Sequence, residues 1–393
     1  MAVILYILLG VALIGTLSSS IFLGLTVAGF LKFRREAKEA RQALLQVKQF
    51  PPVSVMKPIH GMEAQLEKNI ESFFRQDYPA YEILFAADEP DDAALEVVRE
   101  VSARYPHVSC RILVTGKPPW PNPPAYSCYR MTAVATNEIL VTSDSDVEVS
   151  PNYLKEVVAP LIDPKVGMVT CVFRGKNAAG FWSGLTAIGM SVEMTAGVLV
   201  ANLLEGMKFG LGPTIAVKKE AVKSIGGYEV LEDYAANDFI IGNLIERAGY
   251  RVVLSHHIIE HIVSQKTFQK MWQNQVRWAT STRFSRPKGH LGSGLIFAIP
   301  FGLLGLLAAV MLGNPVLGLF LFGVAALNRV VESLLVGWGI VRDPVARKQF
   351  WLYPLRDLLG FMVWAASYVG ARFVWRDSRY ELRGDRFVLR QKG

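Results

Sequence analysis

The feature that most constrains the fold of this chain is the absence of any charged side chain from Met1 to Leu31. A helix needs about 20 apolar residues to cross the hydrocarbon core of a bilayer. The run therefore predicts an N-terminal transmembrane helix, 1–31. A cleaved signal peptide is the alternative, but the run is too long and lacks a clear cleavage site of small residues. Hydrophobic residues make up 51% of the chain, more than an ordinary soluble enzyme contains.

A basic linker, 32–50, follows this helix. Its positive charges begin at Lys32, Arg34 and Arg35, and such clusters stay on the cytoplasmic side of a membrane. The net charge of +8 also favours contact with the anionic headgroups of a lipid bilayer. Nucleic-acid binding is the other interpretation of a basic chain, but no basic stripe interleaved with stacking aromatics is present. We therefore expect a cytoplasmic domain without a nucleic-acid partner.

A C-terminal membrane region, 291–375, is predicted from a second apolar run. A turn signal, Gly313-Asn314-Pro315, interrupts the run. It divides the region into the two limbs of a helical hairpin, 292–313 and 316–340. A later charge-free segment, 358–371, is short for a crossing and is interpreted as interfacial or re-entrant.

Two charges fall inside the second limb of this hairpin. Arg329 and Glu332 are three residues apart and so share one helical face. They are either a structural ion pair or a contact to a lipid substrate. A basic tail, 376–393, is predicted to follow the membrane region and to remain cytoplasmic.

The segment between the membrane regions, 51–263, has the pattern of an α/β domain. Strand-like apolar runs alternate with helical patterns, which favours a mostly parallel sheet flanked by helices. The predicted strands are 53–56, 81–87, 109–114 and 138–143, and the predicted helices are 62–75, 91–105 and 126–137.

The triplet Asp144-Ser145-Asp146 follows the last of these strands. Two carboxylates one residue apart can hold one hard divalent ion whose open positions take a diphosphate. Asp88 also follows a strand, and ligands of open α/β sheets bind at the carboxyl ends of the strands. A solvated acidic turn is the alternative for an isolated triplet of this kind. The two acidic strand exits together predict a site at one edge of the sheet.

A zinc-protease pattern, H-x-x-E-H, is matched by His257, Glu260 and His261. That chemistry needs both histidines on one helix. The β-branched neighbours favour a strand, in which the two histidines would be about 13 Å apart and could not share a metal. We therefore interpret the segment as a structural strand.

Several motifs resemble those of ceramide glucosyltransferases and their bacterial relatives. The resemblance covers nearly the whole chain, including both membrane regions, and residues 116–122 are similar to the hopanoid-associated branch. The matching stretches are 52–58, 69–79, Asp88 with Asp91-Asp92, 143–146, 212–228, Asp238 and Arg277-Trp278.

This resemblance implies a GT-A fold and an inverting transfer from a UDP-sugar. By position, Asp88 would hold the nucleobase or ribose, and Asp144 and Asp146 would hold a divalent metal, Mn²⁺ or Mg²⁺, with the diphosphate. Asp238 would be the catalytic base, taking the proton of the acceptor hydroxyl. The donor-binding residues implied in this way are Lys57, Asp88, Asp144, Arg277 and Trp278.

The assignment of Asp238 competes with two alternatives. Asp can serve as a helix N-cap, and Asp233 lies in an acidic pair, Glu232-Asp233, of the kind that relatives show before their base. The distance along the sequence to Gly249 favours Asp238 over Asp233.

Arg277 and Trp278 lie in a predicted amphipathic interfacial helix, 264–290. An ordinary membrane-anchoring helix is the alternative interpretation. Relatives carry Gln or Arg three residues before the Arg-Trp pair, where this chain has Asn274.

The expected function is transfer of a hexose or N-acetylhexosamine from UDP-glucose or UDP-N-acetylglucosamine to a membrane lipid. A ceramide or a hopanoid polyol would be the acceptor, in the bacterial inner membrane, and no protein partner is predicted. A processive polysaccharide synthase and a nucleotide-binding scaffold without turnover are the alternatives.

Overall fold

The computed structural model describes residues 1–375 and 378–389. Arg376 and Lys392, which bound the charges of the predicted basic tail, lie outside the described residues. The α-helices are α1 (Ala2–Gln46), α2 (Leu66–Phe74), α3 (Ala93–Arg104), α4 (Pro123–Val134), α5 (Tyr153–Val158), α6 (Phe181–Gly189), α7 (Thr195–Leu204), α8 (Lys219–Ser224), α9 (Asn237–Arg247), α10 (Phe268–Ser285), α11 (Pro287–Ser293), α12 (Ile299–Met311), α13 (Pro315–Glu332), α14 (Pro344–Gln349) and α15 (Tyr353–Ala366).

Eleven strands form two sheets within the described residues. They are β1 (Val53–Pro58), β2 (Tyr81–Ala87), β3 (Ser109–Val114), β4 (Ile139–Ser143), β5 (Val147–Glu148), β6 (Val166–Asn177), β7 (Thr214–Lys218), β8 (Arg251–Val263), β9 (Arg372–Trp375), β10 (Ser378–Arg383) and β11 (Arg386–Leu389).

The chain divides into two compact units. The helical unit comprises Met1–Arg35, Ala179–Leu204 and Gln265–Ala371, and the sheet unit comprises the three remaining segments. This division interrupts the predicted catalytic domain, 51–263, because 179–204 packs with the apolar helices. The segment is itself apolar, with Glu193 as its only charge. Its burial among other helices is the physical reason for the difference.

The sheet unit is built on an eight-stranded sheet with the order β3-β2-β1-β4-β7-β6-β8-β5. The pairs β1–β2, β1–β4, β2–β3 and β6–β8 are parallel, and the other three pairs are antiparallel. The expected α/β architecture, a mostly parallel sheet flanked by helices, is confirmed. Because β1, β2 and β4 run in parallel, their carboxyl ends meet at one edge, where Asp88 and Asp144 follow β2 and β4.

The sequence patterns of this unit explain its packing. Strand β1 is buried along its whole length, as a central strand covered on both faces requires. Helix α2 buries Ile70, Phe73 and Phe74 on one stripe, which is the spacing of an amphipathic helix. The predicted strands 81–87 and 109–114 coincide with β2 and β3, and the strand interpretation of the His257–His261 segment is confirmed by β8.

Apolar helices dominate the helical unit. Among the described residues, three helices are long and apolar enough to cross a membrane: Ala2–Gln46, Phe181–Leu204 and Pro315–Trp338. The second combines α6, a π-helical turn (Met190–Met194) and α7, and no span was expected there from the sequence. The first predicted hairpin limb, 292–313, is instead the shorter α12, and 358–371 overlaps α15, a helix of 14 residues.

The charged pair of the predicted hairpin is buried in this unit. Arg329 is 2% exposed and Glu332 is 1% exposed. The Arg329 Nη1 atom lies 2.7 Å from Glu332 Oε2 and 3.2 Å from Asp357 Oδ1. Asp357 Oδ2 also accepts hydrogen bonds from the backbone of Ala298 and Ile299. The structure therefore shows the ion-pair arrangement, with a third charge that the sequence did not associate with it.

Candidate active site

The D-x-D turn lies directly after the central strand β4. The amide of Asp144 donates to the carbonyl of Pro213 at 3.4 Å, and Asn69 Nδ2 donates to the carbonyl of Ser145 at 3.2 Å. The amide of Ile262 donates to the carbonyl of Asp146 at 2.8 Å. Three separate segments thus hold the main chain of this turn, which leaves the two carboxylates available for a ligand.

Lys57, a predicted donor-binding residue, hydrogen-bonds to the main chain of the same turn. Its side chain is completely buried, and its Nζ donates to the carbonyl of Asp144 at 2.7 Å. The ammonium also lies 3.6 Å from the centre of the Phe73 ring. Burial lowers the pKa of Lys57 to about 7, although Asp144 and Asp146 oppose the shift. Its contacts are therefore those of a residue that positions the D-x-D turn, and a direct contact to the donor stays a prediction.

The two carboxylates of the turn repel each other. Burial raises the pKa of Asp144, and the neighbouring Asp146 raises it further. Burial likewise raises the pKa of Asp146, whose side chain is nevertheless 30% exposed. Asp146 Oδ1 is a shielded oxygen without a hydrogen-bond partner among the described residues. A cation at this position would relieve the repulsion and complete the coordination of that oxygen.

His261 is a site residue that the sequence reasoning missed. Its Nε2 lies 3.3 Å from Asp146 Oδ2, because β5 pairs Val147 with His261. His257, the other histidine of the rejected zinc pattern, lies 3.2 Å from Glu156. Burial lowers the pKa of His261, against the influence of Asp144, which favours the neutral imidazole that can ligate a metal. Only the register of two strands distant in sequence reveals this neighbour.

The donor set fits a divalent cation in part. Asp144 and Asp146 supply carboxylate oxygens, and His261 supplies a nearby imidazole. Within residues 1–375 and 378–389, no three His, Cys, Asp or Glu side chains form a complete metal site. Mg²⁺ and similar ions at phosphate-transfer sites are commonly held by one or two carboxylates together with substrate phosphates and water. The residues present match that incomplete type of site.

Asp88 lies at the carboxyl end of β2, on the same edge of the sheet as Asp144. It follows β2, and its Oδ1 accepts a hydrogen bond of 3.4 Å from Thr115 Oγ1. Thr115 in turn follows β3, the next strand of the sheet. The carboxyl ends of β3, β2 and β4 therefore lie along the predicted edge. Asp88 follows β2 and Asp144 follows β4.

Asp238 lies in the first turn of α9. Its Oδ2 accepts from the amide of Gly212 at 2.8 Å, and its Oδ1 accepts from the amide of Phe239 at 2.9 Å. Burial raises the pKa of Asp238, although these amide donors oppose the shift. A carboxyl group with a raised pKa is better matched to proton transfer near neutral pH than an ordinary aspartate.

One short segment, 210–213, connects Asp238 to the D-x-D turn. The Gly212 amide donates to Asp238, while the carbonyl of the next residue, Pro213, accepts from Ser143 Oγ. The amide of Gly210 also donates to the Asp238 carbonyl at 3.0 Å. A Cβ atom at Gly212 would lie 3.2 Å from Asp238 Oδ2, so the close approach favours glycine there. The sheet unit thus brings the two halves of the predicted site together.

Asp233, the competitor of Asp238, has a different environment. Its carboxylate pairs with Arg386, whose Nη1 lies 2.9 Å and 3.1 Å from the two oxygens. Both oxygens of Asp233 are thus engaged by a guanidinium, and a contact to an acceptor hydroxyl would have to break that pair. The geometry therefore supports Asp238 rather than Asp233 as the candidate base.

Arg277 and Trp278 lie on α10 in the helical unit. Arg277 Nη2 donates to Asn274 Oδ1 at 2.8 Å, and its guanidinium lies 5.9 Å from the Trp278 ring centre. Asn274 therefore orients Arg277. The helix buries Met271 and leaves Phe268 44% exposed, and its position at a membrane surface stays a prediction.

Sequence comparison defines the class of this protein. The model of glycosyl transferase family 21 matches residues 12–388. The chain belongs to this family, and it is a glycosyltransferase whose sheet unit has the expected GT-A-like fold.

The individual relatives have low sequence identity to this chain. Ceramide glucosyltransferase 1 of Caenorhabditis elegans is 25% identical over 341 residues, covering 84% of this chain and 72% of that protein. Ceramide glucosyltransferase 3 of the same organism is 24% identical over 348 residues, covering 84% and 73%. Among solved structures, the mannosyltransferase PcManGT of Pyrobaculum calidifontis with GDP-Man and Mn²⁺ is 18% identical, with a TM-score of 0.45 and coverage of 88% and 99%.

Proposed function

We propose that this glycosyltransferase transfers a sugar from UDP-glucose or UDP-N-acetylglucosamine to a hydroxyl group of a membrane lipid, with inversion at the anomeric carbon. The observation that carries the proposal is the 210–213 segment, whose Pro213 carbonyl accepts from the amide of Asp144 and whose Gly212 amide donates to Asp238. It supports one site with a diphosphate-binding half and a proton-accepting half. A ceramide or a hopanoid polyol is the proposed acceptor, in line with the ceramide glucosyltransferases among the relatives.

Asp238 is the proposed catalytic base. It takes the proton of the acceptor hydroxyl as that oxygen attacks the anomeric carbon, and the bond from this carbon to the diphosphate breaks on the opposite face. UDP leaves with the electron pair of the broken bond. The amides of Gly212 and Phe239 hold the carboxylate in place, so that little reorganisation accompanies proton transfer.

Asp88, Asp144 and Asp146 are the proposed donor-binding carboxylates, with Arg277 and Trp278 as further donor contacts. Asp144 and Asp146 would hold Mn²⁺ or Mg²⁺, which supplies charge neutralisation for the leaving diphosphate. Lys57 supports their turn through the Asp144 carbonyl. Asp88 would contact the nucleobase or ribose from the neighbouring strand end.

The membrane lipid is proposed on chemical grounds. In the part of the chain that the structure describes, three helices are long and apolar enough to span a bilayer, and an acceptor held in the same bilayer meets the enzyme without leaving it. The basic linker, 32–50, supports a cytoplasmic position for the catalytic residues. We propose the bacterial inner membrane as the location, with 264–290 at its surface.

The deciding experiment is a lipid product assay. Membranes containing the protein receive Mn²⁺ or Mg²⁺, each UDP-sugar in turn, and ceramide or bacteriohopanetetrol, and the products are read by mass spectrometry. One added hexose or N-acetylhexosamine is expected, and Asp238→Asn should abolish it while retaining UDP binding. Asp77→Asn, at a side chain that is 68% exposed, is the matched control and should retain activity.

Two results would point elsewhere. A ladder of products with many sugars would support a processive polysaccharide synthase instead. Metal-dependent UDP binding without any product from these acceptors would favour a nucleotide-binding scaffold or a different acceptor class.

A further inference from the structure

The C-terminal residues of the sheet unit form a small sheet that docks beside the candidate base. Strands β9, β10 and β11 are antiparallel, in the order β11-β10-β9. We call the pair β10–β11 the C-terminal hairpin. Strand β11 pairs with the segment that precedes α9: the Phe387 amide donates to the Asp233 carbonyl at 2.6 Å, and the Ala235 amide donates to the Asp385 carbonyl at 3.0 Å. The hairpin thus adds a strand-like partner to this segment, which we call the base-entry segment, 232–236.

Arg386 reinforces this contact with its side chain. Its Nη1 bonds both oxygens of Asp233, and its Nη2 donates to the Tyr234 hydroxyl at 3.1 Å. The guanidinium also lies 4.6 Å from the centre of the Tyr234 ring. Arg386 is 52% exposed, so the ion pair contributes little to overall stability. Its planar, multiply bonded geometry instead fixes the orientation of the residues it contacts.

The opposite side of the base-entry segment contacts the loop near Asp88. The amide of Asn122 donates to the Glu232 carbonyl at 2.9 Å, and Asn122 Nδ2 donates to the Tyr234 carbonyl at 2.7 Å. Asn122 is 2% exposed and also caps α4. The loop that contains it begins at Thr115, which donates to Asp88. The base-entry segment therefore lies between the C-terminal hairpin and the donor-side loop.

Asp238 depends on this segment for its position. Helix α9 begins at Asn237, and Ala236 at its N-cap offers no side-chain capping bond. The contacts of 232–236 therefore help to set the direction in which the chain enters the helix, in addition to the local bond from the Asp238 amide to Asn237 Oδ1 and the bond from the Gly212 amide. Asp238 is the second residue of that helix, and a displacement of about 1 Å at such a group can reduce turnover about 100-fold.

We propose that Arg386 is a positioning residue for glycosyl transfer, which holds the base-entry segment so that Asp238 meets the acceptor hydroxyl. This inference rests on the proposed function of Asp238. It assigns a catalytic purpose to a C-terminal region whose sequence indicated only a basic tail.

The test compares Arg386→Gln with Arg383→Gln in the full-length protein. Arg383 lies opposite Arg386 in the same hairpin and is 69% exposed, with Glu381 as a distant ionic neighbour at 4.0 Å. Both variants are assayed for turnover with the UDP-sugar that the wild type uses, for affinity for UDP with Mn²⁺, and for melting temperature. Arg386→Gln should lower kcat about 10- to 100-fold, with UDP affinity and melting temperature equal to those of Arg383→Gln. Asp233→Asn, which breaks the same pair from the other side, should reproduce the loss.

Two results would overturn the inference. In one, Arg386→Gln and Arg383→Gln have the same kcat. In the other, Arg386→Gln loses turnover, UDP affinity and melting temperature together, as a purely structural contact would.

A failure of the proposed function is recognised separately, because the wild type would then transfer neither sugar. Amide hydrogen exchange in 232–238 then decides the positional part of the inference. It should be faster in Arg386→Gln than in Arg383→Gln, and equal rates would contradict it.

Discussion

Charged side chains are arranged differently in the two units of this protein. In the helical unit, each carboxylate of the Arg329 cluster lies within 3.2 Å of a guanidinium nitrogen. In the sheet unit, Asp144 and Asp146 lie side by side, and the ammonium of Lys57 bonds to the main-chain carbonyl of Asp144. Opposite charges in contact attract one another, whereas two like charges repel, and a cation bound beside them would relieve that repulsion. The comparison separates the charges that pair within the fold from those proposed to bind a ligand.

The largest effect on activity is expected from Asp146→Asn. This change removes one carboxylate of the proposed metal site, so product formation should fall at least about 1000-fold. The melting temperature of the metal-free protein should stay the same or rise, because a repulsive charge has been removed. Addition of Mn²⁺ should raise the melting temperature of the wild type but not that of the variant. Thermal unfolding followed by intrinsic fluorescence measures the melting temperatures with and without Mn²⁺. Strong destabilisation of the variant would show that the Asp144–Asp146 pair is structural.

In the helical unit, Arg329→Gln is expected to lower the stability of the protein. The change leaves Glu332 and Asp357 buried without their cation, which costs about 3–5 kcal/mol in the free energy of unfolding. Arg347→Gln, at an exposed arginine of the same unit, is the control and should change stability by less than about 0.5 kcal/mol. Denaturant titration in detergent measures both. A fully stable Arg329→Gln protein with lost activity would instead support the alternative of a lipid contact.

The pH dependence of activity and of stability tests the role of Asp238 as the base. Burial raises the pKa of Asp238, and a base acts only when deprotonated. Activity should therefore fall about tenfold per pH unit below this raised pKa, which lies above the ordinary aspartate value. Stability should change in the opposite direction, because the folded state holds the Asp238 proton more tightly than the unfolded state. As the pH rises from the unfolded to the folded pKa, the wild type should lose stability relative to Asp238→Asn; a constant difference would contradict the assignment.

The smallest effect is expected from Gly212→Ala. The added Cβ would lie 3.2 Å from Asp238 Oδ2, which displaces the carboxylate by a few tenths of an ångström. We expect kcat to fall about three- to tenfold with little change in UDP affinity. Gly197→Ala, where nothing lies within 4 Å of the added atom, is the control. Equal kinetics in both variants would mean that the Gly212 contact is not used in catalysis.

Local patterns in the sequence were sufficient for much of the fold. Strands 81–87 and 109–114 could be predicted because each is a compact apolar run between polar loops. The first membrane helix could be predicted because it is long and uncharged. The Phe181–Leu204 helix was missed because it carries Glu193 and many small residues and lies inside an otherwise soluble-looking segment, so its composition resembles that of a buried helix in a globular domain.

The sequence alone determined the chemical groups of the candidate site, since Asp88, Asp144 and Asp146 follow apolar runs that must form central strands. It also determined the family, through motifs spread along nearly the whole chain. Only the tertiary structure decided which groups meet. His261 reaches Asp146 through strand register, Gly212 reaches Asp238 from the segment between α7 and β7, and Arg386 reaches Asp233 across 153 positions of sequence. Such contacts depend on how distant segments pair, which no local pattern of residues encodes.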